Sequence, residues 1–129
     1  MKWSERYATG LAHIDNQHKT IFAMSEDYRS ALDEGRGEVV YPELLESLAL
    51  YIRTHFGQEE ACMERYRCPL GQANASAHGK FTAVLRGFQE RYVANGYERS
   101  EAYRLVDTID QWLNDHICRI DVQLKSYVG

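Results

Sequence analysis

The sequence has few cysteines, and their spacing matches neither of the common cysteine frameworks. The chain carries three, at Cys62, Cys68 and Cys118. An odd number without a C-x-x-C pair indicates neither a disulfide-stapled secreted fold nor a zinc ribbon. We therefore expect reduced thiols.

Long apolar runs and basic clusters are also missing. No segment approaches the roughly 18 uninterrupted apolar residues of a membrane span, and the first residues, MKWSERYATG, lack the apolar core of a signal peptide. The 15 lysines and arginines are scattered among 19 acidic residues, for a net charge of −4. This pattern argues against nucleic acid or an anionic membrane as a partner. Together these absences favour a cytoplasmic location.

The chain length supports a single domain over residues 1–129. A chain of 129 residues buries roughly two-thirds of its unfolded surface when it folds, so it needs no covalent or metal staple. A bound metal would therefore serve function rather than hold the fold together.

Apolar residues recur at helical spacing through the first half of the chain. Asp15 is a candidate N-cap for a first helix, which runs from about residue 16 to the break at Gly35-Arg36-Gly37. Pro42 fits the first turn of a second helix that extends toward Tyr66.

Two further helices are predicted in the second half of the chain. One spans about 72–93, and the other begins near Ser100. Four helices of comparable length with short connections, and no β-patterned stretch, indicate an all-α fold. We expect an antiparallel up-down-up-down four-helix bundle with an extended N-terminal arm.

Six residues on these helices form a candidate metal site. They are His18, His55, Glu59, His78, His116 and Asp121. Neutral imidazoles and ionised carboxylates together suit a pair of non-haem iron ions, because imidazole binds iron well and a carboxylate can bridge two cations while cancelling their charge. Each helix carries one or two of the six, as a site in a bundle core requires.

The spacing supports one pair of these residues more than another. His55 and Glu59 are four positions apart and share one face of a helix. His116 and Asp121 are five apart, which turns them about 140° from each other on a regular helix, unless a π-type turn restores their alignment.

Each candidate also has an ordinary structural explanation. A lone core histidine is more often hydrogen-bonded than metal-bound, and Glu59 could lie on a solvated helix face. The joint pattern favours a metal, because a core that holds several imidazoles and two carboxylates is expensive without a cation. His13, which precedes the expected N-cap, is predicted to be an exposed loop histidine.

Order and spacing of longer motifs make the chain resemble a bacterial hemerythrin over nearly its whole length. The matching segments are Trp3, IDNQHK at 14–19, HFGQEEACM at 55–63, and WLNDHI at 112–117 followed by Asp121. The resemblance implies a diiron protein that binds O₂ as a carrier, store or sensor. We expect a monomer that works with a redox partner protein.

The same resemblance assigns roles to the six residues. It implies that His18 and His55 hold one iron and that His78 and His116 hold the other. Glu59 and Asp121 would bridge the two non-haem irons together with a solvent-derived oxo or hydroxo group. Five further side chains would wall the pocket for a diatomic ligand: Phe56, Met63, Trp112, Leu113 and Ile117.

One position departs from the family pattern. The H-x-x-x-H motif on the third helix reads Asn74-Ala75-Ser76-Ala77-His78 here, so Asn74 stands where the resemblance implies a third histidine on one iron. Its amide oxygen could coordinate weakly, a water could take the position, or the iron could be held loosely. An opened iron suggests an alternative function, a diiron oxidoreductase that consumes O₂, peroxide or nitric oxide.

Overall fold

A computed structural model of the chain describes residues 3–67 and 71–117. These residues form four long helices: α1 at Ala12–Asp33, α2 at Gly37–Arg65, α3 at Gly71–Asn95 and α4 at Arg99–Trp112. A short 3-10 turn at Glu5–Tyr7 precedes them, and a π-helical segment at Leu113–Ile117 continues α4. The all-α four-helix bundle predicted from the sequence is confirmed.

The apolar stripes of the helices meet along the bundle axis, which is what drives amphipathic helices to associate. α1 packs on α2 and α4, and α3 packs on α2 and α4. At one end of the bundle the interior is apolar, and we call this the apolar end; its buried side chains include Leu32, Tyr41, Leu44, Leu45, Phe88, Ala102 and Leu105.

The helix starts differ from the sequence predictions. α1 begins at Ala12 with Leu11 at its N-cap, so Asp15 is not the cap. Its carboxylate instead accepts hydrogen bonds from the backbone N–H of Thr9 at 2.7 Å and from the Thr9 hydroxyl at 2.9 Å. The prediction failed because Asp15 binds the N-terminal arm rather than the end of its own helix.

The second helix also begins earlier than predicted. α2 starts at Gly37, so Pro42 lies inside the helix rather than in its first turn. Proline there cannot donate a hydrogen bond to the carbonyl four residues earlier. The Tyr97 hydroxyl approaches Gly37 so closely that a Cβ there would clash with it, which favours glycine at the first residue of α2.

Within the described residues, no helix is long and apolar enough to cross a membrane.

Candidate metal centre

The candidate residues gather at the end of the bundle opposite the apolar end, and we call this the site end. Antiparallel packing explains the arrangement, because it brings the first turns of α1 and α3 beside the last turns of α2 and α4. The candidates within the described residues are His18 on α1, His55 and Glu59 on α2, His78 on α3 and His116 in the π-helical segment. All of them are buried.

Glu59 lies at the centre of this cluster, and its two carboxylate oxygens face different helix pairs. Oε2 lies 2.7 Å from His18 Nε2 and 3.2 Å from His55 Nε2. Oε1 lies 3.1 Å from His78 Nε2 and 3.8 Å from His116 Nε2. The four imidazoles are therefore divided two and two between the oxygens of one carboxylate.

This division makes two groups of potential metal ligands with Glu59 in common. One group is His18, His55 and Glu59, and the other is Glu59, His78 and His116; within each, the ligand atoms all lie within 4.8 Å of one another. Imidazole nitrogen and carboxylate oxygen suit divalent transition metals such as iron, and a shared carboxylate can join two of them. The donor set therefore fits a pair of cations.

The electrostatics of Glu59 agree with a carboxylate that stays ionised. Burial raises the pKa of its carboxyl, but the contacts with the four imidazoles outweigh burial and hold the pKa well below its usual range. The site can therefore present a negative charge to a cation even though Glu59 is fully buried.

Asn74 is part of the same cluster. It is fully buried on the first turn of α3, and its amide Nδ2 donates a hydrogen bond of 2.8 Å to Glu59 Oε1. The Asn74 side chain therefore contacts the same Glu59 oxygen that faces His78 and His116. The amide fills the place that a histidine side chain would occupy one helical turn before His78.

Aromatic side chains cover the α3 and α4 half of the cluster. The Phe56 ring stacks on the His78 imidazole, with centroids 3.8 Å apart and an interplanar angle of 5°. The Trp112 ring stacks on His116, with centroids 4.6 Å apart. Met63, four residues after Glu59, and Leu113, directly after Trp112, are fully buried. The side chain of Ile117 lies outside the described part of the structure.

A π-helical segment carries His116, the residue whose alignment with Asp121 the sequence left to such a turn. The π-helical segment covers Leu113–Ile117, so it includes His116 and begins before it. Such segments concentrate at functional sites because they re-aim side chains out of the regular helical pattern. Asp121 lies outside the described residues, and its alignment with His116 stays a prediction.

The sequence interpretation missed other neighbours of the cluster. Gln17 Oε1 lies 2.5 Å from His55 Nδ1, and the Tyr51 ring stacks on His55 with centroids 5.2 Å apart. The spacing of Tyr51 and His55, one helical turn, was a usable signal. His13 is exposed as predicted but lies in the first turn of α1 rather than in a loop, with Nε2 3.5 Å from Cys62 Sγ.

Comparison with protein families matches residues 9–128 to the hemerythrin HHE cation binding domain. The chain is 30% identical over 115 residues to a bacteriohemerythrin of Pseudomonas aeruginosa (strain LESB58), a match that covers 89% of this chain and 72% of the relative. It is 29% identical over 126 residues to a bacteriohemerythrin of Methylococcus capsulatus (strain Bath), with 94% and 91% covered.

A solved structure has the same fold. The crystal structure of wild-type hemerythrin superimposes with a TM-score of 0.84 at 24% sequence identity, covering 99% of this chain and 97% of the other. At that identity the likeness concerns the architecture of the bundle.

Proposed function

This chain belongs to the hemerythrin HHE cation binding domain family, and on that premise we propose that it is a non-haem diiron protein that binds O₂ as a carrier, store or sensor. The observation that carries the proposal is the position of Glu59, whose two oxygens each face two imidazole nitrogens. A hydrogen-bonded core histidine needs one partner, whereas four convergent imidazoles around one buried carboxylate suit two cations.

We assign the ligands by these groups. His18 and His55 would hold one iron, His78 and His116 the other, and Glu59 would bridge them. Asp121, outside the described residues, is proposed as the second bridging carboxylate, and the oxo or hydroxo bridge stays a prediction. When bound, the iron pair would supply two redox-active cations at which a diatomic molecule can bind.

The surrounding residues have separate tasks in this proposal. Glu59 would hold a negative charge between the two cations and thereby reduce their mutual repulsion. Phe56 and Trp112, which lie flat on His78 and His116, restrict water at that half of the site. A groove of about 320 Å³ between α3 and α4 is lined in part by Trp112 and His116, so a small molecule in it would lie against these two side chains.

Asn74 supports a second candidate function. In this reading the chain is a diiron oxidoreductase that consumes O₂, peroxide or nitric oxide. The amide is fully buried and donates a hydrogen bond to Oε1 of Glu59, so it would lie beside an iron held by His78 and His116. An amide oxygen is a weaker metal ligand than an imidazole nitrogen. A coordination position that the amide does not fill firmly would let substrate bind the metal directly.

Anaerobic loading with Fe²⁺ tests both functions in one experiment. Iron is counted per chain, and the ultraviolet-visible spectrum is recorded before air, after air and after O₂ is removed. A pair of irons and a visible band that disappears when O₂ is removed support the binding protein. A pair of irons with rapid bleaching, or with peroxide turnover, supports the oxidoreductase.

The control is His13→Ala, which removes an exposed histidine outside the cluster. It is expected to load and respond like the native chain. Failure of the native chain to retain iron after desalting would overturn the diiron proposal.

A further inference from the structure

The two ring nitrogens of His55 have different partners, and one of these partners has no assigned role. Nε2 lies 3.2 Å from Glu59 Oε2, inside the metal-ligand cluster. Nδ1, on the other side of the ring, lies 2.5 Å from Oε1 of Gln17 on α1. Because an amide oxygen can only accept a hydrogen bond, this contact requires a proton on Nδ1.

Further contacts hold the Gln17 amide in this orientation. Its Nε2 donates to Oε1 of Gln58 on α2, so the oxygen of the amide is left facing His55. The Tyr51 hydroxyl donates to the backbone carbonyl of Gln17, and the Tyr51 ring stacks on His55 at an interplanar angle of 27°. Backbone and side chain of Gln17 are therefore both tied to α2.

We propose that Gln17 is a positioning residue, which keeps the proton of His55 on Nδ1 and so leaves the Nε2 lone pair for a cation shared with His18 and Glu59. The part that concerns the cation rests on the proposed function. The physical basis is general: a hydrogen bond at one imidazole nitrogen determines the tautomer and ring orientation, and thereby the availability of the other nitrogen.

The His78 ring is held differently from the His55 ring. Within the described residues, His78 Nδ1 makes no hydrogen bond, and Glu60 Oε2 lies 3.9 Å from it. A contact of that length orients a ring weakly. Gln17 therefore orients His55 by a closer contact than the one behind His78, and as a neutral amide it does so without adding charge.

The experiment compares Gln17→Leu, which removes the acceptor at similar size, with Gln17→Glu, which keeps an acceptor oxygen. The matched control is Gln89→Leu, because Gln89 is likewise a partly exposed helical glutamine but lies on α3 away from the cluster. Circular dichroism verifies that each variant keeps its helices.

The first measurement uses metal-free protein with nitrogen-15-labelled histidine. In the native chain and in Gln89→Leu we expect the His55 Nδ1 proton to exchange slowly with solvent, and in Gln17→Leu we expect fast exchange. Gln17→Glu should restore slow exchange. Unchanged protection in Gln17→Leu would overturn the inference, whether or not the chain binds iron.

The second measurement is anaerobic affinity for Fe²⁺ alone. Loss of a hydrogen bond behind a metal-bound histidine typically weakens binding by about 10–100-fold, and we expect a loss of that size in Gln17→Leu and recovery in Gln17→Glu. Equal affinity of the native chain and Gln17→Leu would overturn the inference while leaving the proposed function intact. If the native chain bound no Fe²⁺, the proposed function would fail, and proton exchange would still decide the role of Gln17.

Should Gln17→Leu fail to fold, Tyr51→Phe replaces it. This variant removes the hydroxyl that holds the Gln17 carbonyl but keeps the stacked ring. Faster exchange of the His55 Nδ1 proton than in the native chain is expected, and native-like exchange would contradict the proposed positioning.

Discussion

The two ends of the bundle are built from the same four helices but differ in what they bury. The apolar end is filled by side chains such as Leu44, Leu105 and Phe88, whereas the site end buries four imidazoles, a carboxylate and an amide. Burial of apolar surface stabilises a fold, whereas burial of polar groups costs free energy unless they find partners. We therefore expect folding to depend mainly on the apolar end and metal binding on the site end.

The largest expected effect is at the centre of the site end. Glu59→Ala takes a ligand from both proposed irons at once, so it should abolish retention of the pair, and it should cost more iron than any single histidine-to-alanine variant. The measurement is iron per chain after anaerobic loading and desalting. Glu64→Ala, an exposed carboxylate on the same helix, is the control, and a Glu59→Ala chain that kept both irons would refute the bridging role.

At the apolar end, Leu44→Ala should lower the free energy of unfolding and leave iron binding unchanged. Leu44 is almost fully buried, and truncation of such a leucine typically costs about 2–5 kcal/mol of unfolding free energy. Urea unfolding of the iron-free protein measures the loss. The control is Leu50→Ala at an exposed position, which should change the free energy of unfolding by less than about 0.5 kcal/mol. Iron per folded chain should stay native; a parallel loss of iron would show that the two ends are not separable.

Iron should also stabilise the fold from the site end. The apo bundle is expected to fold by itself, and free Fe²⁺ at about 100 times its dissociation constant should add roughly 2.7 kcal/mol, because the metal binds the native state. Anaerobic thermal unfolding with and without Fe²⁺ measures this gain. The gain should vanish in Glu59→Ala, and equal Tm values for the native chain in both conditions would count against a site that joins all the helices.

Asn74→His sharpens the comparison within the site end. The new imidazole would lie one turn before His78 on the same face of α3, and we expect about tenfold tighter iron binding, equivalent to ~1.4 kcal/mol, with slower decay of the oxygenated form. Asn74→Ala is the matched control, since it removes the amide without adding a ligand. Native affinity and decay rate in Asn74→His would mean that the amide oxygen or a water already completes the coordination.

The smallest effect concerns Tyr41 at the apolar end. Burial, with a contribution from Glu101, raises the pKa of Tyr41 from 10.0 to about 12. Tyr41 therefore ionises first in the unfolded chain, so its contribution to stability is constant below pH 10 and is lost as the pH rises toward 12. Unfolding free energies between pH 9 and 12 should fall less steeply in Tyr41→Phe than in the native chain; identical slopes would contradict the shifted pKa.

At neutral pH Tyr41→Phe should change the free energy of unfolding very little. Within the described residues the Tyr41 hydroxyl is buried without a hydrogen-bond partner. Removing such a group is neutral or stabilises by up to about 1 kcal/mol, and a clear loss of stability at pH 7 would indicate a partner for the hydroxyl.

Helical periodicity was enough to predict the bundle, but local signals misplaced the helix starts. Asp15 has the composition of an N-cap, yet its carboxylate binds Thr9 of the N-terminal arm. Gly37 was interpreted as part of a helix break, yet it is the first residue of α2, where the Tyr97 hydroxyl leaves no room for a Cβ. In both cases the competing contact comes from outside the helix concerned, where periodicity carries no information.

The amino-acid sequence by itself determined the all-α bundle and the candidate residues, because helical spacing places apolar side chains and the candidate ligands on inward faces. Only the tertiary structure decided how they meet. The division of the histidines between the two oxygens of Glu59, the bond from Asn74 to Oε1 and the contact of Gln17 with His55 each join different helices. Such contacts depend on helix packing and on rotamers over distances of a few ångströms, which no spacing along one helix specifies.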